Sequence, residues 1–329
     1  MLSPLIPLYL APMAGFTNSP MRVISERFGA AKTSTEMVSA HGLLYENGKT
    51  KALLECLPEE KNCVAHIYGS DPEVLGRAAA YITELNRFCG IDLNAGCPVP
   101  HVTKCGAGSA LILDVPRIGR ILKAIVANTN LPVSIKTRLG PHPEKIAVFD
   151  ILKTAEDAGA SEFILHARFT SQGHSGNIYA EILREVVQQA KIPIVGNGGV
   201  RTPSEIDTMA ELGVKAVMIA RGALGNPWLF SRIKPSLTEI RQVLCEHLDL
   251  EKEYRRQLLA DGLIPDDSRS PEDGAVTAFR HNFFRYLAGI RGSNYLRTHL
   301  NDYSSLDEVM SAVDACLKQE SDYRAAAPE

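Results

Sequence analysis

Ala216-Val217-Met218-Ile219-Ala220 runs directly into Arg221-Gly222-Ala223. Five apolar residues in a row, without polar alternation, suit a strand buried on both faces, as in a parallel sheet covered by helices. Working back along the chain, seven further segments read as strands: Leu8–Ala14, Thr33–Val38, Cys63–Tyr68, Gly90–Ala95, Val133–Thr137, Phe163–Ala167 and Ile194–Gly196. Their starts are mostly 22 to 32 residues apart, with one longer step before Val133. The stretches between them carry helix signals. Asp71-Pro72-Glu73 and Thr202-Pro203-Ser204-Glu205 each pair a capping side chain with proline in the first turn. Gly29, Gly159 and Gly213 close helical patterns just before the next strand. Eight β-then-α units over about 230 residues predict an α/β fold, a closed (β/α)8 TIM barrel. A doubly wound open sheet is the alternative, but no G-x-G-x-x-G follows the first strand.

Past Trp228 the period is helical only, with a Pro-, Asp- and Ser-rich break at 261–271. Helices expected near 237–260, 272–290, 292–301 and 305–319 would form a small all-α bundle. The domains are thus expected at 1–235 (barrel) and 236–329 (bundle).

Composition narrows the class. Of 329 residues 45% are hydrophobic and 22% charged, and the formal net charge is −3, so nonspecific coating of nucleic acid or anionic membrane is not expected. No apolar run approaches the ~20 residues that span a bilayer. The N-terminus shows no signal peptide pattern. Seven cysteines without a C-x-x-C pair point to neither a disulfide framework nor a zinc site, so no metal is expected and a reducing, cytoplasmic setting fits. No seam of exposed apolar residues is evident, which favours a monomer.

In such a barrel, chemistry gathers at the C-terminal strand ends. Here those ends carry Met13, Glu36, His66, Asn94 with Cys97, Lys136 with Arg138, His166 with Arg168, Asn197 and Arg221. Cys97 ends Ile91-Asp92-Leu93-Asn94-Ala95-Gly96-Cys97-Pro98, where an apolar run breaks into a turn. A thiol on a loop past a buried strand is placed to exchange a proton with a ligand. Gly196-Asn197-Gly198-Gly199 and Arg221-Gly222 bring main-chain N–H groups and a guanidinium to the last two loops, a frequent phosphate site in barrels. Lys136 suits either a Schiff-base amine or a cation facing a cofactor's electron-rich edge.

At these residues the chain resembles the tRNA-dihydrouridine synthases, flavoenzymes with an FMN-binding barrel. The motifs are Ala11-Pro12-Met13-Ala14-Gly15-Phe16-Thr17-Asn18, Asp92 to Pro98, Lys104-Cys105-Gly106-Ala107-Gly108, Lys136-Thr137-Arg138, His166-Ala167-Arg168, Gly196-Asn197-Gly198 and Arg221-Gly222-Ala223-Leu224-Gly225. The resemblance implies that NADPH reduces FMN, which then gives hydride to C6 of a uracil in tRNA while Cys97 protonates C5. It implies Pro12, Met13, Ala14 and His66 near the flavin ring and Lys136 at its N1/C2 edge. His166, Asn197, Gly198, Gly199, Arg221 and Gly222 would hold the FMN tail and phosphate. Asn94 and Arg138 would read the uracil, with Lys104, Arg168, Arg280 and Arg285 toward the RNA.

Three departures stand out: His66 where relatives usually carry glutamine, Ala167 for glycine, and Gly199 for aspartate. From Gly274 to Leu300 there is no Asp or Glu while four arginines and two histidines are present, which suits phosphate contact. Val276, Phe279, Phe283, Leu287 and Ile290 form an apolar helical stripe there and are expected in a core. The rival readings are an FMN oxidoreductase of a free pyrimidine, a flavin-free Schiff-base aldolase built on Lys136, and an RNA-binding module on an inactive barrel.

Overall fold

A computed structural model describes residues 6–45, 47–265, 270, 274, 279, 282–299 and 305–326. The chain divides into two compact units, Met1–Gly222 and Ala223–Glu329. Residues 223–235, read from sequence as the barrel's end, cluster with the second unit.

The first unit is a (β/α)8 barrel. Its strands are β1 (Leu8–Leu10), β2 (Thr33–Ser34), β3 (Val38–Ser39), β4 (Cys63–Tyr68), β5 (Gly90–Ala95), β6 (Val133–Arg138), β7 (Glu162–His166), β8 (Ile194–Asn197) and β9 (Ala216–Ile219). All pairings are parallel, in the order β1-β9-β8-β7-β6-β5-β4-β2, and the parallel bridge between Tyr9 and Lys32 brings the two ends together. The second expected strand is broken in two. At the break the Thr35 hydroxyl accepts the N–H of His66 at 2.9 Å, so a side chain takes over the ladder's acceptor role.

Parallel register sorts the side chains by face. Leu10, Leu93, Ile135, Phe163, Leu165, Val217 and Ile219 are buried, and their neighbours one residue on point the opposite way, into the barrel. The interior holds an apolar cluster of Tyr9, Ala11, Ile164, Val195, Ala216 and Met218. Above it, toward the C-terminal strand ends, the register pairs Asn94 with Lys136, Arg138 with His166, and His166 with Asn197. Beneath the polar mouth the interior is apolar on the side of β1, β7, β8 and β9, while His66, Asp92 and Ser134 line it on the side of β4, β5 and β6.

The helices follow their sequence signals. The Asp71 carboxylate caps Pro72–Glu84 through Glu73 and Val74 N–H, and Thr202 with Glu205 forms a capping box at Pro203–Ala210. Gly29, Gly159 and Gly213 take φ of +104°, +87° and +88°, the left-handed conformation that ends each helix.

The second unit contains helices Leu237–Ala260, Ser293–His299 and Leu306–Ala326 among its described residues. Phe279, Phe283, Leu287 and Ile290 are all buried, as the stripe predicts, and Phe279 meets Phe283 edge-on at 5.0 Å. Val276, Arg280 and His281 lie outside the described residues. No helix among the described residues is long and apolar enough to cross a membrane.

Candidate active site

The Cys97 turn is built by its neighbours. The Asn94 amide oxygen accepts the N–H groups of Gly96 at 3.1 Å and Cys97 at 3.0 Å, while its nitrogen donates to Met37 Sδ at 3.0 Å. The Cys97 carbonyl accepts Ser109 N–H at 2.9 Å. Gly108 sits against it with φ +60°, and a Cβ there would fall 2.6 Å from the Cys97 oxygen. Asn94 and Ser109 thus fix the main chain of residues 96 and 97. Cys97 is a half-buried free thiol, and among the described residues no hydrogen bond engages its sulfur.

Arg138 completes the turn. Its Nε donates to the Gly96 carbonyl at 2.9 Å, and its Nη1 to the carbonyls of Phe169 at 3.2 Å and Gly173 at 2.7 Å. Asn94 and Arg138, expected from sequence as base readers, hold the loops of the barrel mouth. Sequence reasoning missed this loop-holding role.

Beside the turn, cations crowd together. Lys136 is half-buried, and desolvation of its ammonium together with the neighbouring Arg138 charge brings its pKa down to about 8. Its Nζ donates to Asn197 Oδ1 at 3.1 Å, and Asn197 Nδ2 is anchored on the Met218 carbonyl at 2.8 Å. The Arg138 guanidinium is pulled down to about 10, by burial first. His166 is held far below the usual imidazole range by burial, then by Lys136, Arg138 and Arg168. Arg168 Nη1 lies 3.1 Å from His166 Nε2, and because a guanidinium only donates, that nitrogen accepts and His166 is neutral. Arg168 also donates to the Gly176 carbonyl at 2.9 Å.

One layer deeper, His66 Nδ1 bonds Asp92 Oδ2 at 2.6 Å, and Ser134 Oγ donates to Asp92 Oδ1 at 2.6 Å. Asp92 is the carboxylate whose charge supports the Lys136 ammonium. On the opposite side, the half-buried Pro12 and Met13 and exposed Ala14 form a turn in which Thr17 Oγ1 accepts Met13 N–H at 3.0 Å. Glu36 accepts Gly15 N–H at 2.6 Å, and burial raises its pKa. Lys104 and Arg221 are exposed. In the second unit, Arg285 is half-buried, and desolvation lowers its pKa.

This arrangement fits an anionic, phosphate-bearing cofactor. Lys136, Arg138, Arg168 and Arg221 repel one another, and a negative group among them relieves that repulsion. Gly198, at φ +125°, leaves main chain open to a close approach: a Cβ there would meet Ile178 at 2.9 Å and the His166 ring at 3.0 Å. The sequence reading also passed over His174. It is exposed on the loop after β7, its ring stacked on His166 at 5.9 Å. Its place in a Gly-His-Ser-Gly loop past a barrel strand was the available signal.

Residues 9–322 match the family model for dihydrouridine synthase (Dus). The chain belongs to the dihydrouridine synthase family. Among its relatives, "tRNA-dihydrouridine synthase B" of Shewanella oneidensis is 35% identical over 264 residues, covering 75% of this chain and 82% of that one. "Probable tRNA-dihydrouridine synthase" of Treponema pallidum is 31% identical over 320 residues, covering 94% and 93%. The Helicobacter pylori (strain J99) protein of that name is 31% identical over 316 residues, covering 95% and 92%. Every barrel-mouth residue described above lies inside the stretch matched to the dihydrouridine synthase model.

Proposed function

We propose that this protein reduces the C5–C6 double bond of uridines in tRNA, using FMN held in the barrel mouth and NADPH as reductant. The observation that carries the reading is a free thiol on a turn pinned by Asn94, with the Lys136 and Arg138 cations beside it, in a chain of the dihydrouridine synthase family. Bound FMN would accept hydride equivalents from the nicotinamide and make them available to the pyrimidine. Pro12, Met13, Ala14 and His66 would border its ring. The Lys136 ammonium, charged at neutral pH with a pKa near 8, would stabilise negative charge at the ring's edge. His166, Asn197, Gly198, Gly199, Arg221 and Gly222 would hold the tail and phosphate. Cys97 would keep its proton on Sγ until it passes to C5 of the uracil, leaving a thiolate beside Lys136 and Arg138. Asn94 and Arg138 retain N–H groups for the base, and Lys104, Arg168, Arg280 and Arg285 would serve the RNA backbone. A base inside folded tRNA must be turned out to reach the thiol, at a cost of roughly a few kcal/mol.

The test is reduction of tRNA from cells lacking the protein. Purified protein with FMN and NADPH is expected to form dihydrouridine in that tRNA and to leave free uracil and uridine unchanged. Efficient reduction of the free bases, with tRNA untouched, would favour the small-molecule alternative. A colourless protein that FMN cannot reconstitute would remove the flavin reading altogether.

Gly198→Ala probes the cradle. The added Cβ meets Ile178 and His166 in a left-handed backbone that costs a non-glycine residue about 1–2 kcal/mol. FMN affinity is expected to fall about tenfold, since about 1.4 kcal/mol is a factor of ten, while the circular dichroism spectrum is retained. Fluorescence titration of FMN measures it.

A further inference from the structure

The loop carrying His174 is clamped at three of its carbonyls by arginines from three places in the barrel. Arg138, from β6, donates to the Gly173 carbonyl at 2.7 Å. Arg221, following β9, reaches the His174 carbonyl at 3.5 Å, and Arg168, following β7, holds the Gly176 carbonyl at 2.9 Å. Gly173 and Gly176, both at positive φ, allow the chain to turn tightly at either end. The result sets an exposed imidazole among guanidinium groups, its ring 5.9 Å from that of His166 and inclined by 24°.

We infer that His174 is a further ligand of the phosphate-binding cluster, one that takes up a proton when a phosphate monoester binds. The inference rests on the flavin mononucleotide reading above. The charged and titratable groups facing His174 are Arg138 and Lys136 from β6, His166 and Arg168 from β7 and its following loop, and Arg221 after β9. Partial desolvation of the ring, although solvent still reaches it, and these positive neighbours lower its pKa, so without an anion the ring stays neutral near pH 7. A phosphate dianion reverses the sign of the local field. The ring then gains its second N–H and makes a charge-assisted hydrogen bond. A neutral imidazole contributes one donor; an imidazolium contributes two and a charge.

The sign of the pH effect follows. The contribution of His174 is present at low pH, where the bound-state imidazolium is populated, and fades as pH rises. The FMN phosphate itself titrates near pH 6, but this affects the wild type and a His174 variant alike, so their ratio isolates the side chain. The experiment is a fluorescence titration of the whole protein with FMN and with riboflavin, at about pH 6 and about pH 8, for the wild type and His174→Phe. Phenylalanine keeps the ring and its stacking but cannot take a proton. His174→Phe should weaken FMN binding by about tenfold at the lower pH, the equivalent of one pKa unit, and by two- to threefold or less at the higher. Riboflavin, which has no phosphate, should bind both proteins equally. Equal FMN ratios at the two pH values, or equal losses for riboflavin and FMN, would overturn the assignment. Wild-type protein that binds FMN no more tightly than riboflavin would instead sink the phosphate reading of the whole cluster.

Discussion

Cys97→Ala is expected to lower the rate of tRNA uridine reduction by about 10²- to 10⁴-fold, the usual contribution of a positioned general acid. Binding of FMN and its reduction by NADPH should be unaffected. The separation follows from how the turn is built. Asn94 holds the N–H groups of Gly96 and Cys97, and Ser109 donates to the Cys97 carbonyl, so alanine preserves each of these bonds and removes the sulfur alone. A structural role for the thiol would predict the opposite, a displaced loop and weakened cofactor binding. Cys105→Ala is the control: that thiol is exposed, and it bonds only its own helical turn, at the His101 carbonyl. Single-turnover oxidation of the prereduced enzyme by tRNA reads the step directly. A Cys97→Ala rate within a few-fold of wild type would mean that another group protonates C5.

The barrel was legible because its strands are buried on both faces. Runs such as Ala216–Ala220 leave no alternative to a covered parallel strand, and the helix caps between them sit where Asp71 and Thr202 put them. The second strand was misread as continuous because nothing local shows that Thr35 will lend its hydroxyl to a residue 31 positions later. The same limit applies in the site. Strand-end position was enough to gather Asn94, Cys97, Lys136, Arg138, His166 and Asn197, because β-strand register is regular. The carbonyls that Arg138 holds lie 42, 31 and 35 residues away, and no spacing rule reports them. His174 was passed over for a related reason: its surroundings come from β6, from β7 with its following loop, and from the loop after β9. Periodicity also placed Phe279 and Phe283 in a core, where both are buried, because a helical stripe needs only local sequence.

Arg22→Met is expected to destabilise the protein by about 3–5 kcal/mol, the typical cost of removing one partner from a buried ion pair. Arg22 is fully buried. It pairs with Glu60 through Nε and through Nη2, and donates to the carbonyls of Thr17 at 2.7 Å and Glu55 at 2.9 Å. Glu60, its side chain also fully buried, would keep only the Ser19 hydroxyl at 2.5 Å. Methionine can fill much of the stem's volume, so the loss measures charge and hydrogen bonding more than packing. Against a total stability of roughly 5–15 kcal/mol for a typical folded protein, this is a large fraction. The effect reaches the site because Thr17, whose carbonyl Arg22 holds, is the residue that closes the Met13 turn. Flavin release should therefore accompany or precede global unfolding in urea, read by flavin fluorescence against circular dichroism. Removing both charges in Arg22→Met/Glu60→Met should regain most of the loss, since an apolar pair has no stranded carboxylate. A single variant within about 1 kcal/mol of wild type, or a double variant no better than the single, would show that the buried charge at position 60 is compensated elsewhere.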